Sequence, residues 1–472
     1  MRILYAASEA LPYIASGGLA DVAGSLPKAI RDKKHACRVV MPLYGDIKDE
    51  LRQSLRFVTS FYVPVAWRSQ YCGLYEGNVG GVKYYLLDNE YYFRRKGIYG
   101  FYDDAERFTF FSRAILEMLH YIPFDPQIIH CNDWQTALVP VYLNLFYRND
   151  ERYRDIKTVF TIHNIQYQGK YGTELLTEVL GIPEYASSIL QYDDCLNFMK
   201  GAIDQSDMVS TVSPTYAREI LDPWFSHKLD RMLVPRQYKL RGILNGIDTN
   251  VYNPQTDPMI YETFGISDAK KGKAKNKAAL QAEMGLPQAP DRMLVGMVGR
   301  LVAHKGLDLV KYILEEMISH GYQFAILGSG DKEFEDFFRY IHDKYPQSVG
   351  LTVGFIPQLA HKIYAGSDAF LMPSKSEPCG LAQMISLRYG TLPIVRKTGG
   401  LQDSIRDLGE ENGNGFTFAS YNAHDMMGAV DRCGGLFGNQ EAWDKAVVNA
   451  MQCDVSWAKS AEEYIDMYKK LL

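Results

Sequence analysis

The sequence predicts an α/β protein built as two domains, each around a mainly parallel sheet, and three observations carry that expectation. The chain has 472 residues, more than one ordinary hydrophobic core organises, so two domains of roughly 200 residues each are the natural division. Short β-branched or apolar runs alternate with longer stretches in which apolar residues recur at three and four, which is the rhythm of βαβ units. Between two such series lies LNGIDTNVYNPQTDP (244–258), whose Asn, Gly, Asp and Pro content is that of a connector.

In the first series the expected strands are RILYAA (2–7), CRVVMP (37–42), VKYYLLD (82–88), QIIHCN (127–132), KTVFTIH (157–163) and MVSTVS (208–213), all in one sheet. The apolar spacing over 104–121 predicts a helix between the third and fourth of these. After the connector the expected strands are MLVGMVG (293–299), QFAILG (323–328), GLTVGF (350–355), AFLMPS (369–374) and TLPIVR (391–396), each followed by a helical pattern. The boundary falls near residue 245. WAKSAEEYIDMYKKLL (457–472) reads as an amphipathic helix that fits either domain.

Hydrophobic residues make up 47% and charged residues 23%, the balance of a globular chain. A net charge of −5 gives no field to hold a nucleic-acid backbone, so no nucleic-acid partner is expected. The seven cysteines contain no C-x-x-C pair, which fits reduced, mostly buried thiols and a cytoplasmic location. The N-terminal residues run straight into a strand without a leader pattern, and no apolar run reaches the ~20 residues of a membrane span, so no membrane partner is expected. The basic run Lys270, Lys271, Lys273, Lys275 and Lys277 reads as the solvated start of a helix.

Two segments resemble each other: SGGLADVAGSL (16–26) and TGGLQDSIRDL (398–408). Each places two glycines between a strand and a helix, where backbone N–H groups and the helix N-terminus can face an anion; taken alone each reads as a plain tight turn, and it is one in each domain that points to an anion. In VGRLVAHKG (298–306), Arg300 follows a strand and Lys305 opens the next helix. Ligands of open α/β sheets bind beyond such strand ends, and these two cations suit one diphosphate; a surface Arg and Lys with no partner is the plainer alternative. PSKSEPCGLAQM (373–384) sets Glu377 before a Pro-Cys-Gly turn, where a carboxylate can accept bonds from sugar hydroxyls; a helix-start acid is the plainer alternative. HCNDWQTAL (130–138) and TIHNIQYQG (161–169) bring Asp133 and His163 to strand ends. Taken singly, Asp133 also reads as a helix N-cap and His163 as a structural histidine. No Walker P-loop, H-E-x-x-H, EF-hand or G-x-S-x-G motif is present, so no metal is implied.

Together these segments, with NFMKGAI, VSPTYAREI, LNGID, SEPCGLAQM and RKTGGLQDSI in order along nearly the whole chain, resemble the bacterial glycogen synthase and plant starch synthase family. The resemblance implies a GT-B fold, two Rossmann-like domains with parallel sheets facing a deep cleft, and a retaining glucosyltransferase. It implies an acceptor-side domain over 1–244, joined by the helix 457–472, and a nucleotide-sugar-binding domain over 245–456. The donor would be ADP-glucose, the acceptor the non-reducing end of an α-1,4-glucan, and no cofactor would take part. Gly17, Gly18 and Asp21 would meet the donor's phosphate and sugar, and Arg300 and Lys305 would neutralise the leaving diphosphate. His163 and Asp133 would line the glucose subsite with Asn164 beside them, and Asn245 would belong to the hinge-side donor pocket. Glu377, Cys379 and Gly380 would address the transferred sugar, Thr398 and Gly399 would cap the distal phosphate, and Phe355 would stack on the adenine. Where the family reads Lys-x-Gly-Gly-Leu, this chain has Ala15-Ser16-Gly17-Gly18-Leu19. The missing cation leaves open a related transferase using UDP-glucose or a small acceptor, and a non-catalytic homologue that binds glucan or sugar nucleotide.

Overall fold

The computed structural model describes residues 1–472. The chain divides into two compact units, one comprising Met1–Asn245 with Trp457–Leu472 and the other Gly246–Ser456. In the first unit β1 (Arg2–Ala6), β2 (Ala36–Pro42), β3 (Arg56–Val65), β4 (Arg68–Val79), β5 (Val82–Asp88), β6 (Ile128–Asn132) and β7 (Lys157–Ile162) are followed by three short strands. These are β8 (Lys170–Tyr171), β9 (Gln191–Tyr192) and β10 (Cys195–Asn197), which form a small antiparallel sheet of their own. With β11 (Met208–Thr211) and β12 (Leu240–Gly242), the others make a nine-stranded sheet in the order β12-β11-β7-β6-β1-β2-β5-β4-β3.

The parallel centre of that sheet is its core. Ile3, Leu4, Val39, Val40, Ile128, Ile129, Val159 and Phe160 are fully buried, because helices cover both faces of a parallel sheet and its strands become continuous apolar runs. The β3–β4 hairpin was not expected from the sequence. It pairs antiparallel at the edge, and exposed Tyr62 and Tyr71 alternate with buried Phe61 and Cys72, the pattern of a sheet with one wet face. The helix Asp104–Glu117 falls within the predicted stretch. The closing helix Trp457–Lys469 lies on this unit, where Ser460 Oγ donates to the Leu244 carbonyl (2.5 Å) and the Tyr468 hydroxyl meets His130 Nδ1 (2.6 Å).

The second unit holds β13 (Leu294–Val298), β14 (Gln323–Gly328), β15 (Val349–Val353), β16 (Ala369–Met372), β17 (Leu392–Arg396) and β18 (Phe416–Phe418). They form one parallel sheet in the order β15-β14-β13-β16-β17-β18. One expectation is corrected here. The lysine run lies inside the helix Ala269–Glu283, and Lys273 and Lys277, four apart on one face, are buried rather than solvated. Lys273 Nζ donates to the Ala365 and Tyr389 carbonyls and to Thr391 Oγ1 (3.0, 3.1 and 2.8 Å). Those carbonyls end helices and need donors, and an ammonium with three N–H groups supplies them. Burial pulls the Lys273 pKa down to about 7. Lys277 is paired with Asp368 at 2.7 Å, while Lys270, Lys271 and Lys275 are exposed as expected.

Candidate active site

In the second unit three adjacent strands, β13, β16 and β17, deliver their carboxyl ends side by side. Past β13 the chain passes through Gly299 and Arg300 into a single 3-10 turn, Ala303–Lys305. Gly306 then takes φ +76°, and a Cβ there would lie 2.0 Å from the Pro373 carbonyl oxygen, so only glycine lets this turn close on the loop after β16. The Lys375 N–H donates to the His304 carbonyl (2.9 Å) and latches the two loops. Across the latch Lys305 Nζ lies 2.7 Å from Glu377 Oε2, and Ser374 Oγ donates to the same oxygen at 2.9 Å. Burial works to raise the Glu377 pKa, but the charge and hydrogen bond of Lys305, with Ser374 and His304, bring it below the ordinary carboxylate value. Glu377 is therefore a buried, ionised, neutralised group, and the surface helix-start reading does not hold.

The loop after β17 supports this pair from behind. Thr398 precedes the helix Gly399–Ser404, and the Gly400 N–H donates to the Glu377 carbonyl (3.1 Å). Arg396 Nε donates to the Ser374 carbonyl at 2.9 Å. Cys379 is buried, Gly380 has φ +73°, and Gln383 Nε2 donates to both of their carbonyls (3.1 and 2.9 Å). Arg300 is exposed and enters no ion pair, so its charge is available to an anion. Phe355 follows β15, at the other side of β14, and is 88% exposed.

In the first unit β1, β6 and β7 are neighbours. Gly17 precedes the helix Gly18–Asp32, whose first turn carries Asp21. Burial raises the Asp21 pKa to about 6. The segment before the glycines is held by Glu9, a buried carboxylate that accepts the Ser16 N–H, with the Gly17 N–H also bonding to it. Past β6, Asp133 adopts φ +55°, a conformation rare for a side chain larger than glycine and concentrated at functional sites. It does not cap its own helix. Its Oδ1 accepts the His163 N–H at 2.8 Å and faces the Asn164 N–H at 3.5 Å, joining the ends of β6 and β7. Burial raises the Asp133 pKa to about 7, against those two N–H bonds. The His163 ring meets Asn132 Oδ1 through Nε2 at 2.9 Å. Asn164 Oδ1 accepts the Gln166 N–H. Asn245, the last residue of this unit before the connector, is buried with Oδ1 unpartnered.

The structure thus gathers Gly17, Gly18, Asp21, Asp133, His163 and Asn164 at three neighbouring strand ends of one unit. It gathers Arg300, Lys305, Glu377, Cys379, Gly380, Thr398 and Gly399 at three of the other, with Phe355 and Asn245 outside both groups. Glu9, Asn132, Ser374 and Arg396 were missed by the sequence reading. A carboxylate two residues past a buried strand was the available signal for Glu9; Ser374 and Arg396 act through their loops and left none.

Two α/β units, each with polar groups at the carboxyl ends of neighbouring parallel strands, have the architecture of a glycosyltransferase of the GT-B type. Residues 2–235 match the model of the starch synthase catalytic domain, and residues 285–433 match that of the glycosyl transferases group 1. The chain is 48% identical to a glycogen synthase of Desulforamulus reducens, over 100% of this chain and 99% of the relative. It is 46% identical to a glycogen synthase of Geobacillus stearothermophilus, over 100% and 98%. Among solved structures, the catalytic domain of starch synthase IV from Arabidopsis thaliana, bound to ADP and acarbose, superposes with a TM-score of 0.93 at 35% identity, over 100% of this chain and 99% of that one. The chain belongs to the glycogen synthase and starch synthase family.

Proposed function

We propose that this enzyme transfers glucose from ADP-glucose to the non-reducing end of an α-1,4-glucan with retained anomeric configuration. The observation that carries the reading is the Lys305–Glu377 pair at 2.7 Å, seated beside an unpaired Arg300 at the carboxyl ends of adjacent strands. The reaction breaks the anomeric bond to the diphosphate and forms one to an acceptor hydroxyl. Charge develops on the departing phosphate oxygen and on an oxocarbenium-like sugar. Arg300 and Lys305 stabilise the first, Lys305 as a cation already held in place by Glu377 and Arg300 as a free charge beside it. The ionised Glu377, with Cys379 and Gly380 beside it, addresses the transferred sugar. Thr398 and Gly399 cap the distal phosphate, and exposed Phe355 offers its ring to the adenine. Gly17, Gly18 and Asp21 are the groups suited to a phosphate and sugar in the first unit, His163, Asp133 and Asn164 those suited to the glucose, and Asn245 that suited to the donor. Exclusion of water from the bound donor favours transfer over hydrolysis.

Support for an ADP donor comes from the solved starch synthase, which holds ADP. Seven free cysteines, five of them buried, support a reducing cytoplasm, and no helix is long and apolar enough to cross a membrane. Ala15, where the family has lysine, favours a second reading: UDP-glucose or a small acceptor, or donor binding without turnover. Side-by-side transfer from ADP-glucose and UDP-glucose onto glycogen decides among them. Elongation with ADP-glucose that Glu377→Ala abolishes is expected; no elongation with either donor defeats the polymerase reading.

A further inference from the structure

We infer that Asn132 is a positioning residue that fixes the tautomer of His163, so that the histidine presents a bare Nδ1 to the ligand and its partner there is a hydroxyl donor rather than an anionic oxygen. Asn132 lies at the end of β6 and is fully buried. Its Nδ2 donates to the Ala6 carbonyl at 2.9 Å, which settles which end of the amide is which. Oδ1 then faces two groups, the Tyr5 hydroxyl and His163 Nε2, both at 2.9 Å. A carbonyl oxygen only accepts, so both must donate, and His163 carries its proton on Nε2.

The other ring nitrogen has no partner in the protein and is not among the buried unsatisfied atoms. An unprotonated imidazole nitrogen accepts a hydrogen bond and repels the lone pairs of a phosphate oxygen. A sugar hydroxyl, which can donate, is the chemistry it fits. The neighbouring His130 shows the contrast. Its Nδ1 is taken by the Tyr468 hydroxyl (2.6 Å) and its Nε2 by Thr161 Oγ1 (2.5 Å), leaving it nothing to offer a ligand.

Protonation would convert Nδ1 into a donor, and the surroundings oppose it. The groups around the ring are Asn132, His130, the Tyr5 hydroxyl bonded to that same Asn132, and Asp133, whose carboxylate is occupied by the backbone N–H groups of His163 and Asn164. Burial holds the His163 pKa down to about 3. The ring therefore stays neutral through the physiological range.

The tautomer itself does not depend on the function proposed above; the identity of the hydroxyl as part of the transferred sugar does. The full-length protein labelled with ¹⁵N-histidine, its His163 signals assigned by their loss in His163→Gln, gives the direct reading. Long-range ¹H–¹⁵N spectra should show a protonated Nε2 and a bare Nδ1, unchanged from pH 5 to pH 8. A protonated Nδ1, or titration in the ordinary histidine range, overturns the inference. Asn132→Asp, which puts a carboxylate against Nε2, should bring His163 protonation up into that window; no change overturns the assignment to Asn132. ADP-glucose analogues in which one hydroxyl at a time is replaced by fluorine, an acceptor that cannot donate, test the ligand half. One position should bind roughly tenfold or more weakly to the wild type and lose that penalty in His163→Gln. Equal binding of every analogue refutes the hydroxyl partner while leaving donor binding, and hence the proposed function, intact.

Discussion

The two Gly-Gly turns share a sequence pattern, SGGLAD at 16–21 and TGGLQD at 398–403, and a place between a strand and a helix, yet their surroundings differ. A Cβ on Gly17 or Gly18 would meet no atom within 4 Å, and Gly17 has an extended φ of −162° that any residue adopts. A Cβ on Gly399 would lie 1.9 Å from the Glu377 carbonyl oxygen, and one on Gly400 2.2 Å from that of Cys379. Gly399 also has φ +45°. The second pair is glycine because the protein's own chain occupies the space. At Gly17 the fold makes no such demand, and in the function proposed above that open space is where the donor would approach. The same dipeptide thus marks a turn packed against its own chain in one unit and an open one in the other.

The largest effect tests what the second turn supports. Lys305→Ala leaves Glu377 buried without its cation, which should cost about 3–5 kcal/mol of stability in that unit and about 10²–10³ in turnover. Adding Glu377→Gln to it should restore most of the thermal stability and none of the activity. Equal stability of the single and double variants would show that the pair is not coupled.

Next in size, Gly399→Ala should destabilise by about 2–4 kcal/mol, through the clash with Glu377 and the unfavourable φ. Denaturant unfolding measures it, and a wild-type midpoint would break the comparison from the second unit's side.

A smaller effect comes from Asp21, beside the open turn. Its folded pKa is raised from 3.8 to about 6 by burial, so between those values the folded state holds more proton than the unfolded one. Stability should therefore fall as pH rises from about 4 to about 6 and stay level above, because the ionised carboxylate is the disfavoured form. Asp21→Asn should remove this dependence, stabilise the protein at pH 7 and weaken donor binding. Thermal melts across pH together with donor titrations at pH 7 check both halves, and a stabilised variant with unchanged donor affinity would remove Asp21 from the site.

Strands buried on both faces were legible as apolar runs, since a parallel sheet covered by helices leaves its strands no polar face. The β3–β4 hairpin alternates instead, and β12 and β18, three residues each, are too short to show a pattern. The placement of Arg300, Glu377 and His163 at strand ends was legible because each follows an apolar run that reads as a strand. What each does locally was not. Asp133 looks like a helix cap in the sequence and instead joins β6 to β7 by accepting backbone N–H groups 30 and 31 residues away. Lys273 looks like a solvated charge and instead caps two helix ends, because its partners at Ala365 and Tyr389 lie 92 and 116 residues along the chain. Local spacing carries no record of such contacts.

Gly17→Ala and Gly400→Ala, measured side by side for melting temperature and ADP-glucose affinity, test the difference between the turns most directly. The account predicts that Gly17→Ala melts with the wild type while its donor affinity falls, and that Gly400→Ala melts markedly lower. A Gly17→Ala protein that loses stability, or one that keeps full donor affinity, would contradict it.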